Sequence, residues 1–155
     1  MAVKPIPDTS PRVIPMLVCR DVEHEITFCE RVLAADVGVR RPGADGHTVH
    51  AALAIRDARI ILQAEFPQLA SRAPQPDGTS PIVVLVYVED VDGAVKEAVA
   101  LGGSVLLPAQ DQFWGDRTAR VMDLSGHVWT LASRIEDTTE NQRRERWDGI
   151  RTNTA

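Results

Sequence analysis

Residues 111–131 read DQFWGDRTARVMDLSGHVWTL and contain the pattern that decides the fold. Two runs in which apolar and polar residues alternate, 117–122 and 127–132, flank the short segment 123–126. Asp, Ser and Gly favour turns, so the pattern predicts two strands joined as a hairpin. A similar pair of strands is predicted earlier in the chain, at 48–55 and 59–65, and the elements that precede each pair also match.

The first half of the chain has the predicted order strand, helix, strand, strand, strand. The apolar, branched run 13–19 predicts a strand covered on both faces, and 37–40 is a second, shorter strand. Asp21 is the expected N-cap of the helix between them. The apolar residues of this helix share one face, which we expect to be buried: Val22, Ile26, Cys29, Val32 and Leu33.

The second half repeats this order. Strands are predicted at 82–88 and 105–107, and a long connection, 108–116, leads from there to the hairpin. Asp90 is the expected cap of the intervening helix, which Gly102 and Gly103 end. The buried stripe of this helix is predicted to contain Val91, Val95, Ala98, Val99 and Leu101.

The repeat can be tested by aligning the two helix caps. Pairing Asp21 with Asp90 gives an offset of 90 − 21 = 69 residues. At this offset apolar residues meet apolar residues: Val22 and Val91, Ile26 and Val95, Cys29 and Ala98, Leu53 and Met122, Leu62 and Leu131. The sequence therefore predicts an α+β fold of two tandem βαβββ modules, 13–65 and 82–134. A proline-rich linker, 66–81, separates them, and the tail 135–155 contains a polar, peripheral helix at 137–147, capped by Asp137 or Thr138.

Composition excludes several classes of function. The net charge is −5, whereas nucleic-acid-binding domains are usually basic. No apolar run reaches the roughly 18–20 residues of a membrane span, and the N-terminus lacks the pattern of a signal peptide. The only cysteines, Cys19 and Cys29, lie in apolar patterns, so we interpret them as reduced core thiols of a cytoplasmic protein, with a redox pair as the alternative.

Four motifs carry a resemblance to a known family: YVEDVD at 87–92, DQFWGDR at 111–117, GHVW at 126–129 and RIED at 134–137. With the two tandem modules, they resemble the vicinal oxygen chelate superfamily and, within it, the PhnB-like glyoxalase/bleomycin-resistance branch. The resemblance covers 13–137. It implies that each module curls a mixed sheet into an open cup with its helix on the outer face, and that the two cups form one cleft.

The resemblance also implies a metal site. Metal-dependent members place His, Gln or Glu ligands on the first and last strands of each module. Those positions fall here on Ile14 and Ile61 in the first module and on Val83 and Thr130 in the second. Aliphatic side chains donate nothing to a metal, and a threonine offers only a neutral hydroxyl. We therefore expect no metal cofactor and a dry cleft that suits an apolar or aromatic compound.

Strand alternation then predicts which side chains line the cleft. The apolar wall contains Ile14, Met16, Ile61, Val83, Leu85 and Val128, and its polar points are His50, Gln63, Tyr87 and Thr130. Trp114 is expected over the mouth, where its ring would stack on a guest, or as a lid packed on its own module. Trp129 belongs to the core. Asp111, Asp116 and Arg117 are expected to tie down the connection that contains Trp114.

The leading hypothesis is a metal-free, non-enzymatic protein that sequesters a small apolar or aromatic molecule, an antibiotic being one candidate. The rival is a divergent enzyme of the superfamily, a lyase, isomerase or dioxygenase-like protein that uses His50 or Tyr87 as an acid–base group. His50 has a second interpretation as a structural histidine. A third hypothesis is a protein–protein module. We expect a homodimer, and we expect no nucleic acid or membrane partner.

Overall fold

The computed structural model describes residues 3–75, 77 and 79–152. The chain divides into two compact units between Pro74 and Gln75, inside the segment predicted as a linker. That segment is not structureless, because a 3₁₀ helix, Pro67–Leu69, and a bridge between Phe66 and Ser71 occupy its start. None of the described helices is long and apolar enough to cross a bilayer.

The first unit has the predicted element order. It contains β1 (Met16–Cys19), α1 (Val22–Leu33), β2 (Asp36–Pro42), β3 (Thr48–Ile55) and β4 (Ala58–Ala64). The strands form a four-stranded sheet in the order β1-β4-β3-β2, in which only β1 and β4 are parallel. The strand predicted at 13–19 begins later, at Met16, because Pro15 has no N–H to donate to the ladder. Ile14 therefore lies before the strand.

Helix α1 forms as predicted. The side chain of Asp21 accepts a hydrogen bond from the backbone N–H of His24 at 3.0 Å, which is the geometry of an N-cap. All five residues of the predicted stripe are buried. Both cysteines are buried and form no disulfide. The apolar face of the helix and the buried side chains of the sheet, among them Leu53, Ile60 and Leu62, therefore make the core of this unit.

The second unit contains β5 (Val83–Tyr87), α2 (Val91–Ala100), β6 (Ser104–Asp111), β7 (Asp116–Met122), β8 (Val128–Arg134) and α3 (Glu140–Thr152). Its sheet has the order β5-β8-β7-β6, with β5 and β8 parallel. β6 is longer than predicted and runs through Pro108, which an edge strand tolerates because one side of its backbone needs no partner. The predicted connection 108–116 is thus reduced to the turn 112–115.

Two details of the helices differ from the sequence prediction. In α2 the buried residues are Val91, Ala94 and Ala98, and Val99 is 50% exposed, because the face toward the sheet follows the spacing i, i+3, i+7. The cap of α3 is Thr139, not Asp137 or Thr138. Its hydroxyl accepts from the N–H of Gln142, and the Gln142 side chain accepts from the N–H of Thr139, a capping box.

The internal repeat is real, but it does not have a single offset. Met16 pairs with Ile61 as Leu85 pairs with Thr130, which preserves the offset of 69 residues in the parallel strand pairs. Leu53 pairs with Ile60, but the partner of Trp129 is Val121, so the third strands are related by 121 − 53 = 68 residues. The predicted match of Leu53 with Met122 is therefore wrong by one. The hairpin turn of the second unit is one residue longer, which restores the offset.

Candidate functional site

The candidate site lies on the face of the second sheet that is opposite its buried core. Along β5, Val86 is buried, whereas Val83 and Leu85 are 41% and 54% exposed. Along β8, Thr130 is half-buried between Trp129 and Leu131, which are fully buried. Side chains alternate between the faces of a strand, so Val83, Leu85 and Thr130 share the open face.

A cavity of about 470 Å³ opens on this face. Its wall is apolar along β5 and the middle of β6, polar near the end of β6, and closed on one side by an indole ring. The lining residues are Val83, Leu85, Leu107, Pro108, Gln110, Gln112, Trp114, Thr118, Ala119, Arg120 and Thr130. The structure thus brings together four of the predicted site residues: Val83, Leu85, Trp114 and Thr130.

A second cavity of about 580 Å³ adjoins the first, and Val83, Leu107 and Arg120 line both. Val128, another predicted cleft residue, lies in its wall but is almost fully buried. Asp77, Thr79 and Ser80, from the segment that leads into β5, complete one side of it.

The hydroxyl of Tyr87, which was predicted as a polar point of the cleft, belongs to a hydrogen-bond cluster around the buried carboxylate of Asp116. Asp116, at the start of β7, is 2% exposed. Its Oδ2 accepts from the Tyr87 hydroxyl at 2.8 Å and from the Trp114 indole N–H at 3.0 Å. Its Oδ1 accepts from Nε of Arg134 at 3.1 Å. This carboxylate therefore fixes the orientation of the Trp114 ring at the cavity wall.

The turn that contains Trp114 is tightly built. The N–H of Gly115 donates to the carbonyl of Gln112 at 3.0 Å. Gly115 has a φ of 97°, a backbone conformation that residues with a Cβ rarely adopt. Its carbonyl accepts from the N–H groups of both Ile135 and Glu136 at 3.0 Å. The Thr138 hydroxyl donates to the carbonyl of Trp114 at 2.7 Å. The segment after β8 thus holds the turn in place.

Helix α3 supports the same turn, although it buries no residue. Trp147 contacts Phe113 with ring centroids 5.4 Å apart, and Phe113 meets Trp114 edge to face at 5.0 Å. Arg146 donates to the carbonyl of Phe113 at 3.0 Å and pairs with Glu136 through both terminal nitrogens. The hydrogen bonds from Arg146 hold the pKa of Glu136 below its ordinary value. The helix is peripheral, as predicted, but it braces the wall of the cavity.

The predicted role of Arg117 and its acidic neighbours agrees with the contacts observed. Arg117 donates to Asp111 at 2.7 Å and to Asp92, at the start of α2, at 2.7 and 2.9 Å. The hydrogen bonds from Arg117 lower the pKa of the Asp92 carboxyl. These pairs tie β6, β7 and α2 together at the end of the sheet where the turn lies.

Sequence reasoning missed Arg120. It lies on β7 directly opposite Thr130, and its Nε donates to the Thr130 hydroxyl at 3.3 Å. Residues that pair across two strands share a face, so assigning Thr130 to the open face would have assigned Arg120 to it as well. In the first unit the residue opposite Ile61 is Ala52, so only the second unit has a charged side chain at this position.

The five site residues predicted in the first unit lie on or near the open face of its own sheet. Met16 is exposed, Ile14, Ile61, His50 and Gln63 are half-buried, and His50 pairs with Gln63 across β3 and β4. The amide of Gln63 donates a hydrogen bond to the Ser71 hydroxyl at 2.7 Å, within the same unit. Nδ1 of His50 is buried and has no hydrogen-bond partner among the described residues. That these residues and those of the second unit line a common cleft stays a prediction.

The side chains at the four expected ligand positions do not fit a divalent metal. Ile61 and Val83 have no donor atom, and the Thr130 oxygen already accepts from a guanidinium, which would repel a nearby cation. In the part of the chain that the structure describes, no three His, Cys, Asp or Glu residues group as metal ligands.

Comparison with known proteins agrees with this architecture. An uncharacterized protein of Mycobacterium bovis, Mb0911c, is 33% identical over 133 residues, which cover 84% of this chain and 88% of that protein. The solved structure of TioX from Micromonospora sp. ML1 has a TM-score of 0.59 at 26% identity, covering 83% of this chain and all of TioX. The fosfomycin resistance protein FosX of Listeria monocytogenes, solved with Mn(II) and a sulfate ion, has a TM-score of 0.62 at 16% identity, covering 89% of this chain and 98% of FosX.

The resemblance noted in the sequence is thus confirmed at the level of the superfamily and its fold. Residues 13–131 match the family model described as Glyoxalase/Bleomycin resistance protein/Dioxygenase superfamily. The matched segment spans both βαβββ units and ends in β8. The chain belongs to the glyoxalase/bleomycin resistance protein/dioxygenase superfamily.

Proposed function

We propose that this protein binds and sequesters a small apolar or aromatic compound, without a metal, in the cavity on the open face of the second sheet. The observation that carries the proposal is the lining of that cavity, in which Val83, Leu85, Leu107 and Pro108 form an apolar wall beside Trp114. A volume of about 470 Å³ lies within the range of roughly 300–1,000 Å³ typical of small-molecule sites. An antibiotic is one candidate guest, in keeping with the family name.

Trp114 supplies the main recognition element. Its ring is held by the indole N–H bond to Asp116 and by the edge of Phe113. A ring that is already ordered loses little conformational freedom when a guest stacks on it, which favours binding. The hydrogen bonds around the turn that contains Trp114 supply this order.

Fluorescence titration with N-phenyl-1-naphthylamine, a neutral aromatic probe, tests the proposal. We expect saturable binding to the wild type and a loss of roughly 1–3 kcal/mol in Trp114→Ala, about that of one large buried contact. Leu85→Ala should weaken the binding of the probe to a smaller degree. The substitution should leave the fold intact, because Leu85 is exposed. Val39→Ala, an exposed apolar residue of β2, is the matched control. Binding that none of these variants changes would place the probe elsewhere and overturn the proposal.

The rival hypothesis, a divergent lyase, isomerase or dioxygenase-like enzyme, has one observation in its favour. Nδ1 of His50 is buried and without a partner in the described chain, so it is a candidate proton acceptor. Tyr87 is less suited to acid–base work, since its hydroxyl is bonded to Asp116 and lines neither cavity. Chemical conversion of a bound guest that His50→Gln abolishes, with binding retained, would favour the enzyme. A protein–protein module, the third hypothesis, predicts no small-molecule binding.

Three further proposals accompany the leading one. The motif around Trp114 supports membership of the PhnB-like branch, and the two buried cysteines without a disulfide support a location in the cytoplasm. Met16, an exposed apolar residue on the open face of the first sheet, supports a homodimer that covers it.

A further inference from the structure

We infer that the guest of this cavity is an anion, an apolar or aromatic compound with one carboxylate, sulfonate or phosphate group, and that Arg120 binds this group. The inference rests on the proposed function, because it names the class of compound that the same cavity takes. Its starting point is the charge of the lining. Of the eleven residues around the cavity, Arg120 is the only one with a charge, and none is acidic.

The guanidinium of Arg120 has unused donors. Among the described residues, its only side-chain hydrogen bond runs from Nε to the Thr130 hydroxyl, at 3.3 Å. Among residues 3–75, 77 and 79–152, no carboxylate lies within 4.0 Å of it. An arginine has five N–H donors, so both terminal nitrogens remain available to an acceptor in the cavity. Planar anions such as carboxylates accept two such bonds at once, which makes arginine their preferred partner.

Other arginines of this unit are satisfied by the protein itself. Arg117, Arg134, Arg143 and Arg146 each form an ion pair with a carboxylate at 3.1 Å or less. Arg120 is half-buried, as are some of these arginines. Removing a cation partly from water costs free energy when no counter-charge lies beside it. An anionic guest would offset that cost.

The nearest acid of the adjoining cavity does not substitute for the guest. Asp77 lines that cavity with Arg120, but its carboxylate accepts from the N–H of Thr79 at 2.9 Å and from the Thr79 hydroxyl at 2.6 Å. These hydrogen bonds lower the pKa of Asp77, so its charge is stabilised by its own turn. It does not pair with Arg120.

Thr130 completes the anion subsite. Its oxygen accepts from Arg120, which leaves the hydroxyl proton free to donate to a second acceptor. Gln110, near the end of β6, and Gln112, in the turn that follows, lie in the same lining. The first unit has Ala52 opposite Ile61 at the equivalent position, so the two halves of the repeat have diverged at this one strand pair.

The test compares two probes with the same ring system, neutral N-phenyl-1-naphthylamine and anionic 8-anilinonaphthalene-1-sulfonate. The wild type should bind the sulfonate about tenfold or more tightly than the neutral probe, the gain expected from a charge-assisted pair. Arg120→Gln should remove this gain and leave the affinity for the neutral probe within about twofold. Arg120→Lys should retain part of it, because lysine keeps the charge but not the paired geometry. Arg144→Gln, an exposed arginine of α3, is the control and should change neither probe.

The outcomes separate the two proposals. If neither probe binds, the proposed function fails. If the neutral probe binds but the sulfonate binds no more tightly, or if Arg120→Gln weakens both probes equally, the anion inference fails and the proposed function stands. A loss of the sulfonate's advantage in Arg144→Gln as well would show a general charge effect, which also overturns the inference. Should Arg120→Gln not fold, Arg120→Lys decides, since a sulfonate affinity equal to that of the wild type in this variant would show that the paired geometry of the guanidinium is not used.

Discussion

The hydroxyl of Tyr87 and Oδ2 of Asp116 are joined by a hydrogen bond of 2.8 Å that links two strands which are not neighbours in the sheet. Tyr87 ends β5 and Asp116 begins β7, and β8 lies between them. The same carboxylate oxygen holds the Trp114 indole. A single buried acid thus links the edge of the sheet to the ring at the cavity wall. We therefore expect some substitutions at these positions to lower the stability of the fold and others to weaken guest binding.

Asp116→Ala is expected to lower the free energy of unfolding by roughly 2–3 kcal/mol, because three donors lose a charged acceptor. Tyr87→Phe removes one of the three bonds and keeps the packing, so its cost should be about 1 kcal/mol. Urea denaturation of both variants measures these values. Equal costs in the two variants would mean that the bonds from Trp114 and Arg134 contribute nothing to stability.

Trp129→Ala should be the most damaging single truncation in the second unit. Trp129 is fully buried, and its indole N–H donates to Oδ2 of Asp123 at 2.7 Å. The change therefore empties part of the core and removes that donor from the carboxylate, whose Oδ1 still accepts from the N–H of His127. We expect a loss of roughly 3–5 kcal/mol. Trp114→Ala, at the cavity wall, should cost less stability and more guest affinity. Denaturant melts paired with probe titrations measure both, and the reverse ranking would show that the two faces of the sheet have been assigned the wrong way round.

The periodicity of the sequence was sufficient to predict the fold, because burial decides the pattern in each element. Strand β3 has the bounds that alternation predicts, and α1 buries the five predicted residues. Errors arose where local polar geometry decides. Pro108 indicated that the strand ends, yet β6 continues through it because β6 lies at the edge of the sheet. The sequence also does not reveal that Leu53 corresponds to Val121 and not to Met122, because both of these neighbouring residues are apolar.

The site was only partly predictable for a related reason. Alternation placed Val83, Leu85 and Thr130 on one face, and these residues do line the cavity. It could not show that the Tyr87 hydroxyl turns to Asp116, since that contact spans 29 residues and depends on the turn between β6 and β7. The family's ligand positions do not indicate Arg120, because they lie on the first and last strands of each module and Arg120 lies on β7, between β6 and β8 in the sheet.

A homodimer is expected in solution. Met16 is 55% exposed on the open face of the first sheet, and exposed apolar side chains favour association. Light scattering at micromolar concentrations should give twice the 17.0 kDa of one chain. Met16→Asp should shift the mass toward the monomer, whereas Leu69→Asp, also exposed but outside the sheet, should not. A monomer mass for the wild type throughout would contradict the expectation.

Protein purified without chelator is expected to contain no stoichiometric transition metal, since Ile14, Ile61 and Val83 have no donor atom and the Thr130 hydroxyl is bonded to Arg120. Elemental analysis of the purified chain measures this. The result that would count against it is one equivalent of zinc, nickel, manganese or iron that Thr130→Val removes. Metal that survives this substitution would instead lie at another place in the chain.

The turn between β6 and β7 should be the backbone position most sensitive to a single added methyl group. A Cβ on Gly115 would lie 2.4 Å from the carbonyl oxygen of Glu136, and the φ of 97° disfavours any side chain. Gly115→Ala should therefore cost roughly 1–3 kcal/mol, through strain and the loss of the bonds that the segment after β8 makes to the turn. It should also weaken probe binding, because Trp114 is the preceding residue.

Gly149 provides the matched control. It lies inside α3, and a Cβ there would meet no atom within 4 Å. Gly149→Ala should stabilise the helix by about 0.5–1 kcal/mol, since glycine is a poor residue in a helix interior, and should leave probe binding unchanged. Thermal melts and titrations of the two variants make the comparison. If Gly115→Ala melts like the wild type and binds the probe equally well, the contact with Glu136 does not hold the turn, and the orientation of Trp114 must come from Asp116 alone.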